Sequence, residues 1–245
     1  MDIDGSADRR AAHRLDRLQS YLRQIVYGGN DGIVTTFAIV AGFAGAGAEG
    51  AAEIGALAVL VFGLANLFAD AVSMGLGEFL SARSERDLYM GERARELEEI
   101  RSQPEQEARE VFEQLRQRGL SREDAETTAE ILVRNPEIMA DWMMSYEMGM
   151  ADPRDDTPAV NGLFTFVSFV LFGAVPLIPY FLMEPTGATF RLSVGATFLA
   201  LVALGLLRWN ATGERLRRCV GETVLVGGTC AVVAFAVGMI VGGGG

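Results

Sequence analysis

Two sets of side chains in this sequence have the types and spacing to bind a divalent metal ion. In the first, Glu96 and Glu99 stand three apart, and so do Glu107 and Glu110. On a helix each such pair projects from one face, and two pairs on facing helices can surround cations, as in carboxylate di-metal bundles. Met143, Met144 and Glu147 follow, with Met143 and Glu147 one helical turn apart. In the second set Asn66, Asp70, Met74 and Glu78 recur every four residues and share one helix face. Asp31 belongs with them, inside an Asn30-Asp31-Gly32 insertion in an apolar stretch. Carboxylates with a thioether suit a borderline ion such as Fe²⁺ or Mn²⁺ better than Mg²⁺, which takes oxygen alone.

Each group also has a plainer reading. An acidic helix is most often a solvated face, and Arg95, Arg101 and Arg109 are placed to pair with these glutamates. Glu98, Glu105 and Glu113 are read as solvent-facing. Two adjacent methionines beside Trp142 fit an apolar core equally well. Asp31 could cap a broken helix, Glu78 could reach out to an interface, and Met74 alone would be core filler.

The elements that must hold these residues follow from segregation of charge. Mean hydropathy is +0.23 although 22% of residues are charged, so apolar and charged residues occupy different segments. Thr157–Met183 and Thr223–Gly245 carry no charge over 27 and 23 residues, enough for the about 20 that a membrane-spanning helix needs. Gly32–Ala48, Ile54–Ala69 and Leu192–Leu207 reach spanning length with a few flanking polar residues. Spans are expected over about Gln24–Ala48, Ala52–Ala82, Thr157–Met183 with a kink or cavity-lining break at Pro176 and Pro179, Gly187–Trp209 and Glu222–Val241. No proline interrupts the second before Pro104, so it is expected to run on as one helix to about Arg101.

Between spans two and three lies an acidic block, Arg83–Asp156, with 20 of the 32 acidic residues, 11 of the 21 arginines and a local charge of −9. Ser102-Gln-Pro-Glu105 reads as a capping box opening a helix that stops at Gly119. Ser121 opens the next, and a third runs from Pro136 to about Met150. The division is therefore an N-terminal arm (1–23), spans one and two (24–82), an acidic helical domain (83–157) and spans three to five (158–245). From Arg9 to Gln24 the arm is compatible with an amphipathic surface helix. It lacks the apolar region of a cleavable signal peptide.

All 21 basic residues are arginine, and 20 fall in the arm, the acidic block or the Arg208–Glu222 connection. By the positive-inside rule these three lie in the cytoplasm, giving five spans, a cytoplasmic N-terminus and an outward C-terminus. Asp31 then lies about 10 Å and Met74 about 13 Å from the cytoplasmic helix ends, at similar depth. Ionisable groups within spans cost at least about 2.5–3.5 kcal/mol each and mark ion paths. A net charge of −11 argues against nucleic acid as a partner. Cys219, Cys230 and the single histidine, His13, match no metal motif. No P-loop, nucleophile constellation or dinucleotide fingerprint points to an enzyme or to a bound organic cofactor.

Asn30-Asp-Gly-Ile-Val-Thr-Thr-Phe-Ala-Ile-Val-Ala-Gly42, then Ala71-Val-Ser-Met-Gly-Leu-Gly77, then Pro176-Leu-Ile-Pro-Tyr180 resemble the vacuolar iron transporter family, which includes the yeast-type Ca²⁺-sensitive cross-complementer transporters. The likeness runs from about Arg23 to the C-terminus. It implies an all-α polytopic homodimer in the lipid bilayer, with five transmembrane helices per protomer and a helical cytoplasmic metal-binding domain between helices two and three. It also implies export of Fe²⁺, and often Mn²⁺, from the cytoplasm in exchange for protons. For a bacterial-type member the membrane is the inner (plasma) membrane. The family's ligands fall on Glu96, Glu99, Glu107, Glu110, Met143, Met144 and Glu147, and its intramembrane pair on Asp31 and Met74. Plant-type members carry a glutamate where this chain has Asn66, and often an acid where it has Gln24. Asp70 and Glu78 stand where small residues are usual, which makes Asp70, one turn from Asn66, a candidate for proton coupling. No ferritin-like domain is expected ahead of span one. Two other readings remain: a membrane-anchored metal buffer or sensor without transport, and a carrier of another substrate whose acidic block only dimerises.

Overall fold

The computed structural model describes residues 21–46, 52–154, 156–184 and 186–242, with backbone alone for 52–56. His13, the expected surface helix as far as Ser20, and the first span-connecting turn up to Ala51 lie outside the described residues. Those described form helices and connections, with no strand. They are α1 (Leu22–Gly45), α2 (Ala52–Ser102), α3 (Pro104–Gln117), α4 (Arg122–Val133), α5 (Pro136–Tyr146), α6 (Pro158–Gly173), a 3₁₀ turn (Val175–Leu177), α7 (Ile178–Leu182), α8 (Gly187–Thr212) and α9 (Leu216–Gly242).

Proline and glycine set most of the boundaries. α2 is proline-free for 51 residues and ends where Pro104 opens α3. The expected capping box does not form. Ser102 is instead the last residue of α2, its Oγ donating to the Glu99 carbonyl at 3.3 Å, and Gln103 enters α3 without a side-chain cap. Gly119, at φ +99°, follows the end of α3, and Ser121 caps α4 by accepting from the Asp124 amide at 3.1 Å. α5 stops at Tyr146, four residues short of Met150. Glu147 becomes its C-cap, and Gly149 turns the chain with φ +64°, a conformation that L side chains avoid.

The chain divides into two compact units: residues up to Phe79 with those from Ala159 onward, and Leu80–Pro158. In the first, α1 is central, packed on α8 and α9. Phe37, Val40 and Ala41 of α1 meet Val59 and Leu177, while Ile33 meets Ala200, Leu201 and Leu204 of α8. Gly28 and Gly32 lie one turn apart against the backbone of α6. A Cβ on Gly28 would stand 2.6 Å from the Thr165 carbonyl oxygen, and one on Gly32 would run into that of Phe169. Small residues thus let α1 approach α6 backbone to backbone. The kinked third span is a break, α6–3₁₀–α7, and Ser193 of α8 donates to the Pro176 carbonyl at 2.6 Å within it.

Four helical segments among the described residues are long and apolar enough to cross a membrane: that of α2 starting at Leu57, Pro158–Leu182, α8 and α9. α1 has 24 residues, about 36 Å of helix. Gln24, Asn30 and Asp31 are among its residues, and it is not one of the four. Valines and isoleucines such as Val232 and Ile240 stand open on α9, a surface suited to lipid.

The second unit packs α2 from Leu80 onward with α3, α4 and α5. Its core joins Ile100 of α2, Val111 and Leu115 of α3, Ala125, Ala129 and Leu132 of α4, and Met139, Ala140 and Met143 of α5. Arg93 fastens α2 to α5, with Nε 2.6 Å from Asp141 and Nη2 3.0 Å from Glu137. Arg154 adds a second cation to Asp141 at 3.0 Å, and the pair of guanidinium groups holds that carboxyl below its usual range despite its burial.

Candidate metal-binding and translocation residues

In the second unit α2 carries Glu96 and Glu99, α3 carries Glu107 and Glu110, and the C-cap of α5 supplies Glu147. Glu96 is 3% exposed and Glu107 4%; Glu110 is half-buried, and Glu99 and Glu147 are exposed. Burial raises the Glu96 carboxyl to about 7, helped by the charges of Glu107, Glu147, Glu99 and Glu110. Burial, then Glu110, Glu99 and Glu147, raise Glu107 as well. The five glutamates therefore form one electrostatic cluster. Their mutual repulsion opposes closer approach, and no three Asp, Glu, His or Cys side chains among the described residues converge closely enough to hold an ion. They stand within reach of each other's charge rather than at coordination distance.

The arginines satisfy little of this charge. Arg95 approaches Glu99 at 3.8 Å on an exposed surface, a pairing worth little. Arg101 pairs with Glu137 instead, and Arg109 donates to the Glu105 carbonyl. Among the described residues neither Glu96 nor Glu107 has an ion-pair partner, and Glu96 Oε1 is buried without a hydrogen bond. Two buried carboxylates beside three more cost free energy that a cation or a proton relieves. Met143 and Met144 are fully buried, and Met143 is part of the core cluster, so packing alone accounts for its position. Glu98, Glu105 and Glu113 are exposed, as read from the sequence.

Two side-chain amides not singled out by the glutamate spacing also reach this cluster. Gln114 donates to Glu147 Oε2 at 2.8 Å, and Gln106 to Glu110 Oε1 at 3.1 Å. Arg118 donates to the Tyr146 carbonyl at 2.8 Å and lies over the rings of Trp142 and Tyr146, 5.6 and 4.9 Å from their centroids. The signal was spacing: Gln114 stands seven residues after Glu107 and four after Glu110, on their face of α3.

In the first unit Gln24 Nε2 donates to Glu78 Oε1 at 2.9 Å, joining α2 to the first turn of α1. One turn apart on α2, Asn66 Nδ2 donates to Asp70 Oδ2 at 2.7 Å. Asp31 lies within electrostatic reach of Asp70. Counting from the Gln24–Glu78 bond at 1.5 Å per residue, Asp31 is about 10 Å along α1, Asp70 about 12 Å and Met74 about 6 Å along α2. Asp70 is thus nearer the level of Asp31 than Met74 is. Met74 packs against the cluster of Leu67, Ala71 and Phe169. Asn66 also opens onto an apolar groove of about 820 Å³ between α1, α2 and α9, where it is the one polar lining side chain.

The family model described as the VIT family matches residues 22–239. Vacuolar iron transporter 1 of Arabidopsis thaliana is 37% identical over 221 residues, covering 90% of this chain and 86% of that protein. Vacuolar iron transporter 1 of Oryza sativa subsp. japonica is 35% identical, covering 87% and 82%. The vacuolar iron transporter of Toxoplasma gondii is 33% identical, covering 94% and 82%.

Proposed function

The chain is an integral membrane protein of the VIT family, and from that premise we propose that it carries Fe²⁺, and Mn²⁺ with it, out of the cytoplasm in exchange for protons. Iron comes from the names of its relatives. Manganese and proton exchange come from the donor set and from the intramembrane acids. Transport, rather than catalysis, is the activity its relatives are named for.

In this reading α1 is a fifth span, with Gln24 bonded to Glu78 and Asp31 within electrostatic reach of Asp70. The second unit lies in the cytoplasm with the N-terminus, on the side that collects 20 of 21 arginines. The membrane is a bacterial inner membrane, and the working unit is a homodimer. Glu96, Glu99, Glu107, Glu110 and Glu147, with Met143 and Met144, capture the ion. Asp31 receives it within the membrane with Met74. Asp70 and Glu78 exchange protons for it, since a carboxylate that takes a proton loses most of its attraction for a cation.

The observation that carries this reading is the burial of Glu96 and Glu107 inside a cluster of five glutamates. A solvated acidic face has no reason to bury carboxylates without arginine partners. Metal uptake into proteoliposomes under an imposed pH gradient tests the proposal. Wild type concentrates Fe²⁺ and Mn²⁺, and Asp31→Ala does not. Uptake by Asp31→Ala at the wild-type rate would remove the intramembrane site. Tight binding without flux from the wild type would make the protein a buffer instead.

A further inference from the structure

Near the N-terminus of α1 the first unit has a second groove, of about 800 Å³, which the metal path does not use. Val26 and Tyr27 of α1 and Val226 of α9 line it together with Asn30 and Thr223, and so do Arg23 and Arg208. Glu222 lines it as well, 2.8 Å from Arg208. That carboxylate is shared, because Arg218 approaches it at 3.0 Å. Among the described residues Arg23 has no carboxylate partner. Counting Arg215 and Arg217, five arginines gather at this end of the helices against Glu214 and Glu222. Tyr27 and Trp209, both exposed, lie at the same end, as aromatic side chains do at the headgroup level of a bilayer.

We propose that this groove is a binding site for an anionic phospholipid, the phosphate held between Arg23 and Arg208 and an acyl chain lying along Val26, Tyr27 and Val226. Basic pockets between transmembrane helices recognise lipid headgroups through charge, while the apolar wall replaces bulk hydrocarbon. A groove lined by both arginines and apolar side chains fits a molecule with an anionic head and a hydrocarbon tail. A second copy of the chain fits poorly, because a twofold contact through this groove would set its five arginines against these five.

Native mass spectrometry of the full-length protein, delipidated and then exposed to equal amounts of dioleoyl phosphatidylglycerol and dioleoyl phosphatidylcholine, tests the site. Each arginine at an anionic surface contributes about fivefold, so wild type should retain phosphatidylglycerol at least about tenfold over phosphatidylcholine. Arg23→Gln with Arg208→Gln should bring that ratio close to one. Val226→Trp fills the slot and leaves both arginines in place, and it should reduce retention of phosphatidylglycerol as well. Millimolar inorganic phosphate should displace none of it. Equal retention of the two lipids by wild type overturns the proposal, as does an unchanged ratio in both variants. Displacement by phosphate would mark an anion site without a lipid. Loss of dimer mass at constant lipid selectivity would assign the groove to a second copy.

Discussion

Replacing Glu96 by glutamine should make the protein more stable and worse at binding metal, with the first effect confined to one range of pH. A carboxyl raised from 4.5 to about 7 costs the folded, ionised protein about 3 kcal/mol. Because the folded value is the higher one, its contribution to stability is fully present below about pH 4.5 and is lost as pH rises through about 7. Glutamine matches the neutral form at every pH. It leaves a buried amide with an atom lacking a partner, as Glu96 Oε1 does now, so the net gain above pH 7 is about 1–2 kcal/mol. For a unit of this size that is an increase in melting temperature of about 10 °C. Trp142 packs on the core of the second unit. In a Trp209→Phe background its fluorescence therefore follows melting of that unit within the full-length protein in detergent. Glu96→Gln should melt higher than its parent at pH 8 and no higher than it at pH 4.5, and should bind Fe²⁺ at least about tenfold more weakly. Destabilisation at pH 8, or the same difference at both pH values, would refute the account of why this carboxylate is buried.

The other expectations concern packing, thioether chemistry and proton competition. Gly28→Val forces a side chain onto the Thr165 carbonyl and should cost about 2 kcal/mol in detergent melts. Gly77→Ala, with open space around it, should be neutral or slightly stabilising in the same assay. Met143→Leu keeps the core volume, so stability should change by less than about 1.5 kcal/mol. A fall in Fe²⁺ affinity with it identifies the sulfur as a ligand, and unchanged affinity leaves Met143 as core alone. Below about pH 7 wild-type affinity for Fe²⁺ should weaken with falling pH as Glu96 takes up a proton. Titration calorimetry across pH 5–8 should show a shallower slope for Glu96→Gln.

Helix limits were readable where prolines and glycines mark them. Pro104, Gly119, Ser121 and Pro136 sit at the ends of α2 to α5 as their chemistry requires. The shorter α5 was missed because a left-handed glycine outweighs the helix propensity of the residues around it. α1 is expected as a span from the run Gly32–Ala48 with its polar flank, and it forms a helix of 24 residues that is not among the four segments apolar enough to cross a membrane. The glutamate pairs were visible as spacing. Which members are buried was not, since burial depends on how α3 and α5 pack against α2. The relation of Asp31 to Asp70 was also out of reach. Depths counted from helix ends bring Asp31 level with Met74, whereas counting from the Gln24–Glu78 bond, between residues 54 apart in the chain, brings it nearer the level of Asp70.

The poise of Glu96 near neutrality bears on how coupling should be counted. At pH 7 this carboxyl is part protonated, so in the proposed cycle an ion that settles among the glutamates releases a proton on the side it came from. That proton is scalar: it acidifies the medium on loading and crosses no membrane. In the proposed exchange the vectorial protons are those taken up at acids within the spans. A proton-to-metal ratio taken from the first loading of the sites would add the two together, whereas over many turnovers Glu96 takes back the proton it released. The Glu96→Gln protein should release less proton on first loading than wild type and show the same ratio over many turnovers.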